Sequence, residues 1–323
     1  MISDPTSSPT PSWSWSEALP AGPRRLELPV AMLRLDGPDT LRVLHGQTSQ
    51  DLVLAPAGSW RSTCCISPTA RVRALAEVLV DGEGAWLVVT AGDAAAVRVA
   101  LDRVLFPADA VLLGPLQAAR WLEPVGPDGP GMAAAPATWA PLGAGGGWRL
   151  GPVAVLPHQA PVPEDLAALE PLTELELQMR RIALGGPQAG SEINDDTNPF
   201  ELGLADRVSL SKGCYVGQET LARLATYDGV KQQLRRWFTP ASAVSAGSAP
   251  MAAGVLRDAE GQRAGVITTA LALPGGEGWI GLALVRRAAL DQERLWCAAG
   301  PDEGSAADGA GGLPLLQIGR AHV

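Results

Sequence analysis

The sequence predicts an α+β protein: antiparallel sheets with helices packed on them, and a small β-barrel or sandwich at the C-terminal end. Three observations predict it. Short apolar runs separated by turn residues recur between Ser59 and Thr90 and again beyond Lys231. A few isolated segments place apolar residues at helical spacing. No strand–helix–strand repeat with a GxGxxG or P-loop occurs, which argues against nucleotide-binding parallel folds. A chain of 323 residues also exceeds what one core usually organises. The expected division is an arm over 1–23, an α+β module over 24–115, a middle α+β module over 116–230 and the C-terminal strands over 231–323.

Each element has a local reason. Residues 1–23 are rich in Pro, Ser and Trp without either period, and read as a loosely ordered arm. Leu26 to Leu35 suits a strand, and Asp36-Gly37-Pro38-Asp39 resembles a helix start with Leu41 and Leu44 facing inward. Trp60–Ile66, Val72–Val80 and Ala85–Thr90, joined by Ser67-Pro68-Thr69-Ala70 and Asp81-Gly82-Glu83-Gly84, read as an antiparallel meander. Asp93 caps a predicted helix over Ala94 to Phe106. Residues 124–165 are dense in Pro, Gly and Ala around a strand-like piece from Trp148 to Leu156. A helix over Leu172 to Leu184 follows. The polar stretch Gly185 to Asn198 is long for a connector and reads as a functional loop, and Gly217 to Leu224 is again helical. The C-terminal strands fall at Gln232–Thr239, Gly254–Arg257, Ala264–Ala270, Gly278–Val285, Arg294–Ala298 and Leu313–Ile318.

Composition narrows the function. The formal charge of −9 disfavours wholesale binding to nucleic acid or anionic membranes. No apolar run is long enough to span a bilayer, and the first twenty residues lack a secretory pattern, so a cytoplasmic protein is expected. Cys64, Cys65, Cys214 and Cys297 include no CxxC pair, and His45, His158 and His322 are far apart, so neither a disulfide framework nor a stably bound metal is expected. The chain has two lysines, Lys212 and Lys231, against 25 basic residues in all. A lysine kept against that bias points to a task for a compact, tunable ammonium, or to chance.

Lys212 opens the sharpest local signal, Lys212-Gly213-Cys214-Tyr215-Val216-Gly217-Gln218-Glu219. Two glycines allow positive φ or close approach of backbone to a ligand. A helix beginning after Gly217 and the cation of Lys212 both favour a thiolate at Cys214. Taken alone, Cys214 reads first as a small buried hydrophobe, as most free cysteines are.

These eight residues resemble the signature of the YgfZ family, folate-binding proteins related to the glycine-cleavage T-protein. Leu35-Asp36-Gly37-Pro38-Asp39 through His45-Gly46-Gln47-Thr48-Ser49-Gln50-Asp51, Ile66 to Val72, and Asp195 to Glu201 resemble three further blocks of that family in the same order. Where the family commonly has Pro-Lys-Gly-Arg, this chain has Pro68-Thr69-Ala70-Arg71, without the cation and the permissive turn residue. The resemblance implies a T-protein-like fold, with the modules and the C-terminal barrel ringed about a cavity for tetrahydrofolate or a one-carbon derivative. It implies Gln218, Glu219, Tyr215 and Glu201 against the ring, and Arg223, Lys231, Arg235 or Arg236 against the anionic tail. Gln47, Thr48, Asp51, Arg71, Gly213 and Gly217 complete the implied folate contacts. Gln47, Thr48 and Asp51 read equally as cap and turn residues, and the basic cluster as a solvated face.

The function so implied is that of a monomeric accessory protein for iron–sulfur cluster assembly or repair, whose partners are client or assembly proteins, with tRNA-modifying enzymes as candidate clients. Cys214 is then the functional thiol and Lys212 its modulator, without turnover of the T-protein kind. One alternative is a tetrahydrofolate-dependent aminomethyltransferase. T-proteins place a carboxylate pair near the positions of Ala74 and Leu75, where the nearest carboxylate here is Glu77. A second alternative is a folate-free protein-interaction module.

Overall fold

A computed structural model of the chain describes residues 13–127, 138–143, 146–244 and 249–297, and the backbone of 313–320. It opens with a 3₁₀ turn, Trp15–Ala18, started by a capping box between Ser14 and Glu17. In order follow β1 (Arg24–Asp36), α1 (Thr40–Gln47), β2 (Trp60–Ile66), β3 (Val72–Val80), β4 (Gly84–Gly92), α2 (Ala94–Asp102), β5 (Leu112–Val125), β6 (Ala140–Pro141), β7 (Trp148–Leu150) and β8 (Val153–Pro157). These strands form one antiparallel sheet in the order β2-β3-β4-β1-β5-β8-β7-β6. The meander sits where the sequence places it.

β5 does not appear among the strands predicted from the sequence. Its Gly114-Pro115 pair interrupts the apolar run, as such residues do at strand edges and bulges. Yet it pairs with β1 from Arg24 opposite Val125 to Asp36 opposite Leu112. The boundary expected at 115/116 therefore falls inside a strand, and the first two modules share a sheet.

The remaining elements are α3 (Glu164–Ala167), α4 (Glu174–Ala183), α5 (Gln218–Thr226), β9 (Gln232–Pro240), β10 (Val255–Arg257), β11 (Arg263–Ala272), β12 (Gly278–Arg286), β13 (Arg294–Cys297) and β14 (Leu313–Arg320). A second capping box, Thr173 with Glu176, starts α4. The second sheet pairs β10-β11-β12-β9-β14-β13 and returns from β13 to β10. No helix among the described residues is long and apolar enough to cross a membrane.

Alternation along β9 and β12 divides the core. Trp237, Ala283 and Val285 pack with Leu295 and Cys297 on one face. Leu234, Phe238, Ile280, Leu282 and Leu284 pack on the other, against Cys64, Ile66, Val72 and Leu75 of the first sheet and Met179, Ile182 and Ala183 of α4. This second cluster is a three-way junction of sheet, helix and C-terminal strands. Each large apolar side chain buried there contributes about 1.5–3 kcal/mol.

Part of the segment 1–23, expected as a loose arm, packs on the junction. Residues 1–12 lie outside the described residues, but Trp13, Trp15, Ala18 and Leu19 pack against the junction. Indoles bury enough surface to anchor a segment that has no periodicity.

Candidate functional site

The Lys-Gly-Cys-Tyr loop lies across the C-terminal end of α1, tied by Ser209 N–H to the Ser49 carbonyl at 2.9 Å. The last carbonyls of a helix lack intrahelical donors. Lys212 supplies them: Nζ donates to the carbonyls of His45 (2.5 Å), Thr48 (2.7 Å) and Gln50 (2.8 Å). The side chain is buried, and Nζ stands 4.3 Å from the centre of the Tyr215 ring. Burial pushes its pKa down to about 7, with Asp51 opposing. The retained lysine thus caps a helix and spends all three ammonium donors on backbone. A guanidinium is too wide and planar to replace it.

Thr48 is part of the same cap, its hydroxyl donating to the Leu44 carbonyl at 2.8 Å. Asp51 is half-exposed beside His45, 3.3 Å from Nδ1, and Gln47 is partly exposed one residue before the cap. Of the two readings open for Gln47, Thr48 and Asp51, the cap reading describes Thr48.

Past Lys212 the loop turns outward. Cys214 is exposed, whereas Cys64, Cys65 and Cys297 are buried. Cys64 and Cys65 point to opposite faces of β2, into separate clusters, and burial pushes both thiols up to about 12. Gly213 is exposed on the same loop. Gly217 sits at φ +76°, and a Cβ there would come within 2.9 Å of the Ser67 carbonyl and 3.1 Å of Ala70 Cα. Two of the sequence blocks meet at that contact. The turn they share holds Ala70 at φ +60°, a left-handed conformation that costs an L-residue about 1–2 kcal/mol.

Other expected contacts lie elsewhere. Gln218 reaches back to the Lys212 carbonyl at 3.4 Å. Glu219 and Arg223 form a solvated i,i+4 pair at 2.8 Å on α5. Glu201 is buried, accepts from Asn198 N–H at 2.9 Å and lies 3.7 Å from Arg71, whose Nη1 donates to the Asp196 carbonyl. Desolvation raises the Glu201 pKa. Glu201 and Arg235 border a surface cleft of about 370 Å³. Lys231 is exposed. A larger cleft, about 610 Å³, lies between Arg73, Asp93, Arg103 and Asp195. Among the described residues no group of three His, Cys, Asp or Glu side chains converges to hold a metal.

The junction holds Trp13, Trp15 and Glu192, which sequence reasoning missed, together with Arg236 and Tyr215, which it named. Trp13 lies flat on Phe238, with centroids 5.0 Å apart and planes 14° apart. The Arg236 guanidinium stands over Trp15 at 4.7 Å and donates to the Ala183 carbonyl. Glu192, fully buried, accepts from Gln188 N–H (3.0 Å) and the Thr269 hydroxyl (2.8 Å) and lies 3.6 Å from Arg181. Arg236 Nε, Trp15 Nε1 and the Tyr215 hydroxyl are buried without hydrogen-bond partners. Buried polar groups are nearly always paired, so such orphans mark a place built for something else or bridged by water. The signals present in the sequence were the Ser14-x-x-Glu17 capping pattern within the arm and the irregular length of 185–198.

No protein-family model matches the chain. Over 119 residues, 37% of this chain, it is 35% identical to a chloroplastic protein of Arabidopsis thaliana named "Putative transferase". That match takes in 26% of the relative's length. Among solved structures, the glycine cleavage system aminomethyltransferase T from Bartonella henselae superposes with a TM-score of 0.65. The alignment covers 96% of this chain and 88% of that one, at 18% identity. The fold is therefore that of aminomethyltransferase T.

Proposed function

We propose that this chain is a tetrahydrofolate-binding protein of T-protein fold that supports iron–sulfur cluster assembly or repair in client enzymes, as a cytoplasmic monomer without aminomethyl turnover. The observation that carries the reading is Cys214, an exposed thiol on a loop that the buried Lys212 fixes to the end of α1. A thiol held this way reaches a partner protein without rearranging the core.

The residues fit a folate at the junction. Phe238 has a flat aromatic face, which Trp13 covers, and Arg236 Nε and the Tyr215 hydroxyl are hydrogen-bonding groups that lack partners. When bound, tetrahydrofolate supplies a one-carbon carrier. The chain's own part is to bind the ring, exclude water from it and present Cys214 nearby on the adjoining loop.

Turnover finds less support. Ala74 and Leu75 stand near the positions where T-proteins carry their carboxylates. Glu77 is buried and fully engaged: it accepts from Trp60 Nε1 (2.5 Å) and the Ser62 hydroxyl (2.6 Å), and pairs with Arg207 at 3.0 Å. A carboxylate so occupied is a poor general base. The whole-chain fold and the transferase relative favour the second reading, folate-dependent one-carbon transfer.

The deciding experiment is rescue of iron–sulfur enzyme activity in cells lacking the protein. The native chain is expected to rescue and Cys214→Ala to fail. Equal rescue would remove the thiol from the mechanism. Tetrahydrofolate-dependent ammonia release from an aminomethylated carrier protein would establish the transferase reading instead.

A further inference from the structure

The segment around Trp13 and Trp15 is attached to the rest of the molecule in an unusual way. Its backbone hydrogen bonds are internal, Glu17 N–H to Ser14 and Leu19 N–H to Ser16. Among the described residues the next backbone ties belong to β1, which pairs with β5 from Arg24 and whose Arg25 N–H donates to the Glu170 carbonyl. Side chains alone hold Trp13 to Leu19 in place: Trp13 on Phe238, Trp15 under Arg236, and Ala18 in the junction cluster. Both indoles remain partly exposed. A strap fixed this way leaves its seat without breaking a strand or a helix.

The seat also matches its occupant poorly. An indole ring carries one donor and no acceptor. Beneath the Arg236 guanidinium it therefore offers nothing to the Nε–H, and its own N–H finds no partner either. Trp13 covers an aromatic floor, Phe238, and Trp15, set edge-on to Trp13 at 78°, lies under a cationic donor wall, Arg236; together the two indoles fill one slot. The guest that such walls favour is a flat ring of about indole size that bears carbonyl or ring-nitrogen acceptors.

We infer that the slot between Phe238 and Arg236 is a binding site for an acceptor-bearing bicyclic heteroaromatic ring, and that the Trp13–Leu19 strap occupies it as a displaceable surrogate. The strap then gates the site, and a ligand binds with the fraction of chains whose strap is out. The inference rests on the folate reading for the identity of the guest, a pterin, but not for the existence of the slot.

The test uses the full chain and its Trp13→Ala/Trp15→Ala variant, with near-ultraviolet circular dichroism confirming packing. Two probes are titrated: tetrahydrofolate under reducing conditions by calorimetry, and 8-anilinonaphthalene-1-sulfonate, an anion built on a planar naphthalene bicycle, by fluorescence. Removing the indoles is expected to tighten tetrahydrofolate binding about tenfold or more, because the cost of opening the site is no longer subtracted from the affinity. The dye is expected to bind the variant and not the native chain. In the native chain, saturating tetrahydrofolate is expected to speed hydrogen exchange at Ser16 to Leu19. Dye bound by the variant with tetrahydrofolate bound by neither would sink the folate reading and keep the slot. Equal tetrahydrofolate affinity in both chains, or dye bound by neither, would overturn the inference and make the indoles permanent core. Should the double variant fail to fold, Trp13→Leu with the same two probes decides by the same outcomes.

Discussion

The Lys-Gly-Cys-Tyr loop and the junction use polar groups in opposite ways. At the loop, Lys212 meets three carbonyls and Thr48 a fourth, so the polar atoms of the α1 cap are paired within the chain. At the junction, Arg236 Nε, Trp15 Nε1 and the Tyr215 hydroxyl are buried and unpaired. Satisfied polar networks stabilise and fix geometry, while unsatisfied ones cost stability and are retained where something else requires them. The segment most legible in the sequence is therefore largely a buttress that turns the Cys214 thiol outward. The unpaired groups of the junction, Arg236 and Trp15, stand one over the other although they are more than two hundred residues apart in the chain.

That contrast is open to measurement. Lys212→Met strips two buried carbonyls and one half-buried carbonyl of their donor and is expected to destabilise the fold by about 3–5 kcal/mol in urea unfolding. Its pH dependence sharpens the point. With the folded pKa lowered to about 7, the unfolded chain binds more protons between there and the ordinary lysine value, so stability rises with pH over that interval. The native chain should gain on Lys212→Met between pH 7 and pH 10. A flat difference would show that the three carbonyls hold the proton in place and offset burial.

Gly217→Ala tests the contact between the motif and the Ser67–Ala70 turn. Positive φ and a Cβ 2.9 Å from a carbonyl oxygen should cost about 2 kcal/mol or more and loosen the Cys214 loop, read as faster exchange at Val216 and Gln218 amides. Ala70→Gly runs the other way. Relief of the left-handed alanine should stabilise by about 1 kcal/mol, and a loss instead would mean that the Ala70 methyl packing in the junction cluster outweighs the strain. The smallest effect belongs to the junction side. Tyr215→Phe removes an unpaired hydroxyl and should leave stability within about 0.5 kcal/mol, whereas a cost above about 1 kcal/mol would reveal a bridging water.

Much of the architecture was readable from residue pattern. The meander follows from apolar runs punctuated by Ser67-Pro68 and Asp81-Gly82, and β2 and β3 match their predicted limits. The predicted strand positions of the C-terminal sheet and the helices α4 and α5 follow in the same way. β5 escaped because Gly114-Pro115 breaks its pattern, while β1 pairs along its whole length and overrides that local signal. The two tryptophans escaped because a 3₁₀ turn has no long period to detect, and their burial depends on Phe238 and Arg236 more than two hundred residues away.

Local chemistry in the sequence determined which segments become strands and helices, and it singled out Lys212 and Cys214 in a chain nearly without lysine and poor in cysteine. Periodicity and turn residues act over a few positions, so they are legible without a partner. Tertiary structure alone decided what those residues do. Only packing shows that Lys212 closes the end of a helix, that Cys214 and not Cys64 reaches solvent, and that Arg236 keeps a donor unspent above an indole. Such outcomes depend on which distant groups share a small volume, and burial then sets the cost of every polar atom left alone there.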